Sequence, residues 1–190
     1  LLCFWHNRKL QKYYERVKKK QFSHRVMLGE QGEIAIPTVG FNLIFQLTHI
    51  FSHLMNEGIG LRQLVDYYYV LISDDLLLIR DRVQKELKEL GLWKFAGAIM
   101  YIMQEVFGMP ASRLIVPPNE KYGKFVLNEV LEAGNFGRHD VRNWFGRSQL
   151  GHNLQRVYRD MRLVRYFPAE ALCEPLFRTW HFFWRMNNKK

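Results

Sequence analysis

The sequence predicts a mainly α protein of the α+β type: a bundle of about six to seven helices with a small N-terminal β-hairpin. Three observations carry that expectation. Apolar residues recur at helical spacing in almost every long stretch. Strand-like alternation is confined to residues 21–36. Residues 41–73, FNLIFQLTHIFSHLMNEGIGLRQLVDYYYVLIS, read as two buried helices joined by a Gly-Ile-Gly turn. The chain divides into a basic helix with the hairpin, 1–38, and a helical domain, 39–190.

Residues 7–20 set Leu10, Tyr13, Tyr14 and Val17 at i, i+3, i+4 and i+7, an amphipathic helix with a basic outer face. Lys18, Lys19 and Lys20 suit a helix C-terminus, where cations meet the dipole, and are also candidate phosphate contacts. Phe22, His24, Val26 and Leu28 alternate, Gly29-Glu30-Gln31-Gly32 turns, and Ile34 and Ile36 alternate again. Two strands are marginal alone, so the hairpin is expected to join strands outside this chain. Pro37 ends the strand and Thr38 caps the next helix.

The first central helix, Phe41 to about Asn56, is apolar round most of its circumference, as a core helix is. Asn42, Gln46, His49 and His53, at i, i+4, i+7 and i+11, break that pattern along one face. An unpaired buried polar group costs about 1–3 kcal/mol, so this stripe must meet a polar network, a wet pocket or another domain. The second helix puts Leu61, Leu64, Val65, Tyr68 and Ile72 on its apolar side and Arg62, Asp66 and Tyr69 on its polar side. Gly58 and Gly60 permit a sharp turn, which places the two polar stripes to share a site.

Ser73 or Asp74 caps a third helix, Asp75 to Leu90. A fourth occupies 92–107 and stops at Gly108. Pro110 to Pro118 is a loop, and Asn119 caps a fifth helix, Glu120 to Ala133. Residues 134–151, rich in Gly, Arg and aromatics, read as a surface loop. A sixth helix, His152 to Arg165, has Leu154, Val157, Met161 and Val164 as its apolar face, with Arg156, Arg159, Arg162 and Arg165 as an anion surface or a solvated one. Pro168 opens a last helical region with a break or restart at Pro175, and Phe177, Trp180, Phe183 and Trp184 are expected to anchor it to the core.

Composition narrows the classes. Apolar residues at 48% and aromatics at 15% are ample for a packed core and exclude general disorder. Cys3 and Cys173 make no disulfide framework or metal spacing and fit a reducing compartment. No apolar run reaches the roughly 18 residues of a membrane span, and LLCFWHNRK lacks a signal-peptide pattern. A cytoplasmic protein without membrane contact is expected, and one whose sequence continues upstream of Leu1. Charge is uneven: net +7 over 1–25, −4 over 26–137 and +7 over 138–190. Two basic ends suit a polyanion, through Lys18, Lys19, Arg156 and Arg159, or an acidic partner domain.

The sequence has no glycine-rich phosphate loop, nucleophile elbow, CxxC pair or strand-borne DxD pair. The constellation with chemical content is His49, His53, Arg62 and Asp66. His49 and His53 have the i,i+4 spacing that binds zinc or manganese in hydrolases, with Asp66 as the third ligand. Yet Ile50 follows His49, so the zincin glutamate is missing, and satisfied core histidines are the alternative; no metal is assigned. Arg62 and Asp66 form an i,i+4 ion pair, or Arg62 points at a phosphate while Asp66 orients it.

The run from Phe41 to Leu71, entered through Ile34-Ala35-Ile36-Pro37-Thr38, resembles the bacterial uncharacterised nucleotidyltransferase family. His49, His53, Gly58 to Gly60, Leu61-Arg62-Gln63-Leu64 and Asp66 carry the likeness, with weaker support from 167–185. The resemblance implies a polymerase-β-like enzyme that uses Mg²⁺ to move a nucleotidyl group from an NTP to an unknown acceptor. It implies that this chain is the helical C-terminal lobe, with 1–38 the remnant of an incomplete α/β lobe. The missing N-terminal catalytic lobe, with the metal-binding carboxylates, would be its partner. Arg62, His53, His49 and Asp66 would face substrate, and the isolated chain would be inactive, with no cofactor of its own. The alternative is a non-catalytic basic helical module that binds nucleic acid or an acidic protein.

Overall fold

A computed structural model of the chain describes residues 4–56, 58–134 and 149–188. Eight α-helices and one hairpin lie among them. The order is α1 (Phe4–Ser23), β1 (Arg25–Met27), β2 (Glu33–Ala35), α2 (Val39–Asn56), α3 (Leu61–Leu71), α4 (Leu76–Glu89), α5 (Trp93–Phe107), α6 (Glu120–Ala133), α7 (Gln149–Leu163) and α8 (Pro168–Asn187). The predicted loop 134–151 falls mostly outside the described residues.

The N-terminal helix runs on to Ser23, so Phe22 belongs to it and not to the predicted strand. The hairpin is short and antiparallel, with Val26 opposite Ile34, and these two strands are the whole sheet among the described residues. Gln21 ties the end of α1 to the start of α2: its Oε1 accepts from the Thr38 backbone N–H at 2.8 Å and from Oγ1 at 3.0 Å. Thr38 Oγ1 in turn accepts from the Phe41 N–H at 3.4 Å, the expected N-cap.

The core forms round α2. Leu43, Ile44, Leu47, Ile50 and Phe51 are almost wholly buried there. Phe51 stacks on Phe95 of α5, with centroids 4.3 Å apart, and Phe167 meets both rings edge-on. Such aromatic contacts add about 0.5–1.5 kcal/mol beyond area burial. Tyr13 of α1 enters the same core, and burial, helped by Glu86, pushes its hydroxyl pKa up. The most extensive helix contact is α5 on α6, where Asn119 caps α6 by accepting from the Tyr122 N–H at 3.2 Å.

On α3 the buried positions are Leu64, Tyr67 and Leu71, while Leu61 and Ile72 are exposed. The buried arc therefore centres on Tyr67, which the predicted apolar face omitted. Turn geometry explains the close α2–α3 pairing. Gly58 has φ +93°, a conformation open to glycine, and its N–H reaches back to the His53 carbonyl at 2.8 Å. Gly60 is extended and needs no such freedom. The start of α4 has no side-chain cap, contrary to the expectation for Ser73 or Asp74. Arg113 holds this corner instead, donating to the Ile72 and Ser73 carbonyls at 3.2 and 2.9 Å, with Asp74 Oδ1 3.4 Å away.

The last two helices reverse the expected orientation. Leu154, Val157 and Met161 of α7 are 54, 49 and 67% exposed, while Arg159 and Asp160 are buried. Helix α8 is continuous through Pro175, and Trp180, Phe183 and Trp184 face solvent, not the core. Its inward face carries Glu170 and Glu174. Ion pairing explains the reversal: Arg162 meets Glu129 at 3.1 Å, and Arg178 meets Glu174 at 3.0 Å and Asp160 at 4.0 Å. Charges buried in pairs tolerate the interior that single ones would not. No described helix is long and apolar enough to cross a membrane.

Candidate functional site

The polar stripes of α2 and α3 face each other across an open cleft of about 600 Å³. Asn42, Gln46 and His49 come from α2, and Gln63, Asp66 and Tyr69 from α3. Ile36 and Pro37, leaving β2, close one end, and Ile50 and Val70 give apolar wall. The cleft follows from local sequence: each helix repeats polar residues at three- and four-residue steps, and the tight turn at Gly58 brings the two faces together. Gln46 Oε1 is buried there without a hydrogen-bond partner, an acceptor left for a ligand or water.

His49 lies flat against Phe45, with ring planes 6° apart. Its Nε2 is 3.1 Å from Nε2 of His53, and the rings meet edge-on. Two imidazole nitrogens bond only if one donates and the other accepts, so the pair cannot carry a proton on both facing atoms. Burial, and then the charge of His53, hold the His49 pKa below its ordinary value.

The predicted residues are not all brought together. His49 and Asp66 share the α2–α3 cleft. His53, one turn on, lines a separate cleft against α7 and α8. Arg62 is exposed, lines neither cleft and makes no ion pair with Asp66. Among the described residues no three His, Cys, Asp or Glu side chains converge to hold a metal, so Asp66 does not complete the histidine pair. Lys18 and Lys19 are exposed on α1, and Lys18 borders a shallow apolar depression with Tyr14, Phe41 and Phe45. Arg156 is exposed, whereas Arg159 is 8% exposed and turned inward. Three-residue steps drift about 60° each on a 3.6-residue helix, so the arginine series of α7 winds round the helix instead of forming one face.

Gln63, part of the family likeness, was not picked out as a site residue, although it stands one turn before Asp66 and lines the same cleft. Nor were Glu174, Arg178 and His181 of α8, which line the second cleft. Their signal was a charged stripe at i, i+4 and i+7 on an otherwise apolar helix.

Fold and cleft together define a mainly helical domain with a polar groove between two helices of a tight helical hairpin. Residues 3–108, more than half of the chain, match the family described as uncharacterised nucleotidyltransferase, and the chain belongs to that family. The match spans α1 to α5 and so contains the whole α2–α3 cleft. Comparison with curated proteins and with solved structures finds no match.

Proposed function

We propose that this chain is the C-terminal helical lobe of a nucleotidyltransferase, and that the α2–α3 cleft forms one wall of its nucleotide site. The observation that carries the reading is the meeting of two polar helix stripes inside the family-matched stretch. Gln46 and Asn42 offer amide groups to a base or ribose, Asp66 accepts from a hydroxyl, and Tyr69, 66% exposed, offers a ring face for stacking.

Enzymes of this kind use Mg²⁺, which takes oxygen ligands in near-octahedral geometry. The cleft offers a single carboxylate, Asp66, beside amides and an imidazole. The described residues do not make a magnesium site. The catalytic carboxylates belong, in this reading, to a lobe outside this chain, which alone is inactive. The outward apolar face of α7 and α8 supports a further protein surface packing there, because contiguous exposed apolar area marks interaction sites.

Equilibrium binding of an NTP with Mg²⁺ to the full-length protein tests the reading. Gln46→Ala and Asp66→Asn should each weaken binding about tenfold, as loss of one bond to a buried or charged group does. Unchanged affinity in both variants would remove the cleft from the nucleotide site.

One observation favours a second reading, a basic module for single-stranded nucleic acid. Phe22 is 73% exposed and Phe45 44% exposed beside Lys18, an aromatic platform next to cationic charge. Binding that falls steeply with salt and shows no nucleotide preference would select it.

A further inference from the structure

The second cleft, about 260 Å³, lies between the C-terminal half of α2 and the helices α7 and α8. Arg156, Arg178, His53 and His181 line it, with the Ser52 hydroxyl and one carboxylate, Glu174. Three of its features restrict what it can hold. First, donors dominate. Arg156 is exposed and enters no ion pair among the described residues, while Arg178 already spends one nitrogen on Glu174 Oε1 at 3.0 Å. Second, Glu174 is 6% exposed and its other oxygen, Oε2, has no hydrogen-bond partner. Third, the His181 ring has aromatic neighbours on both sides. It lies between Phe177 and Trp184 of the same helix with ring planes 13° and 14° from parallel, which favours one ring orientation.

A simple anion would satisfy the arginine and the imidazoles but would leave Glu174 Oε2 facing negative charge without a donor. A neutral sugar would satisfy Glu174 but leave Arg156 without an anion. A ligand carrying both groups satisfies the whole set. We propose that this cleft is a binding site for a hydroxyl-bearing phosphate ester, with the phosphate on Arg156, His181 and His53 and a hydroxyl donating to Glu174. A nucleotide end and a free phosphosugar share that chemistry. The site lies beside α7 and α8 and does not depend on the α2–α3 cleft taking a nucleotide.

His53 gives the site a second property. Its Nε2 bonds Nε2 of His49, which lines the other cleft. A phosphate held by His53 fixes which nitrogen of that ring carries a proton, and so fixes whether His49 donates or accepts across the pair. Occupancy of one cleft is thereby felt as hydrogen-bond direction in the other.

The test is NMR observation of the histidine ring signals of the full chain, titrated in parallel with ribose 5-phosphate, inorganic phosphate and ribose. The expected result is saturable shifts of His53 and His181 with ribose 5-phosphate, at an affinity at least about tenfold above either other probe. Arg156→Gln, at an exposed position that leaves folding intact, should weaken ribose 5-phosphate about tenfold. His181→Gln should weaken it in the same direction. Equal affinity for inorganic phosphate, or for ribose, overturns the two-group site, as does an unchanged affinity in R156Q. A 5′-phosphorylated dinucleotide, if it binds more tightly than ribose 5-phosphate, identifies a polynucleotide end as the source; the reverse order identifies the free sugar phosphate.

Discussion

Asp160 is 6% exposed on α7, neither of its oxygens accepts a hydrogen bond, and the nearest cation, Arg178, stands 4.0 Å away. Burial raises its pKa from 3.8 to about 6, against the opposing pull of Arg178. Because the folded value lies above the unfolded one, the folded state holds the proton longer. The stability this contributes is complete below pH 3.8 and is lost as pH rises through about 6. Asp160→Asn should therefore stabilise the protein by on the order of 1–2 kcal/mol at pH 8 and have little effect at pH 4. Urea unfolding at the two pH values checks this, and an equal effect at both would disprove the charge argument. His49 has the opposite sense: its lowered pKa means that stability falls as pH drops below 6.5. None of this was legible in the sequence. Helical spacing put Asp160 beside the arginines without showing that this side of α7 faces inward.

At the scale of elements, the α5–α6 contact is the most extensive among the described residues, and Gly123 lets the two helices approach closely. A Cβ there would fall on the Tyr101 side chain. Gly123→Ala brings about 1 kcal/mol of helix propensity, but overpacking costs about 1–3 kcal/mol, and steric conflict with a ring on the facing helix outweighs propensity. The variant should melt several degrees lower by circular dichroism; a higher melting temperature would mean that the helices slide apart easily. These elements show what a single sequence makes readable. The helix α6 was legible to the residue, because Asn119 and Gly134 punctuate it and its apolar stripe points inward. The hairpin was legible from its turn, though α1 consumed part of its first strand. The α2–α3 cleft was legible as two polar stripes and a glycine turn. In contrast, α7 and α8 each carry an apolar and a charged stripe, and periodicity is blind to which stripe is inside. The partner on a neighbouring helix decides it: Glu129 of α6 draws Arg162 inward.

Across the whole molecule the two halves are held together by different forces. From α2 to α6 the interior is aliphatic and aromatic, with Leu43, Leu64, Leu76 and Ile99 wholly buried. Each such side chain contributes about 1.5–3 kcal/mol on burial. The C-terminal helix pair joins that core through Leu163, Phe167 and Ala171, with Val164 and Tyr166 packed beside them, and sets Arg162 against Glu129 of α6. A buried ion pair roughly cancels its own desolvation, so the cohesion of this seam rests on that short apolar strip, far smaller than the core from α2 to α6. The consequence concerns cooperativity. Backbone amides of α7 and α8 should exchange with deuterium through a partial opening well below the global unfolding free energy, while those of α5 should exchange only on complete unfolding. Native-state exchange across a denaturant series would resolve two such units. Ribose 5-phosphate, bound across the seam between α2 and α8, should slow the faster unit and leave the slower one unchanged, making the ligand itself the fastener of the C-terminal pair.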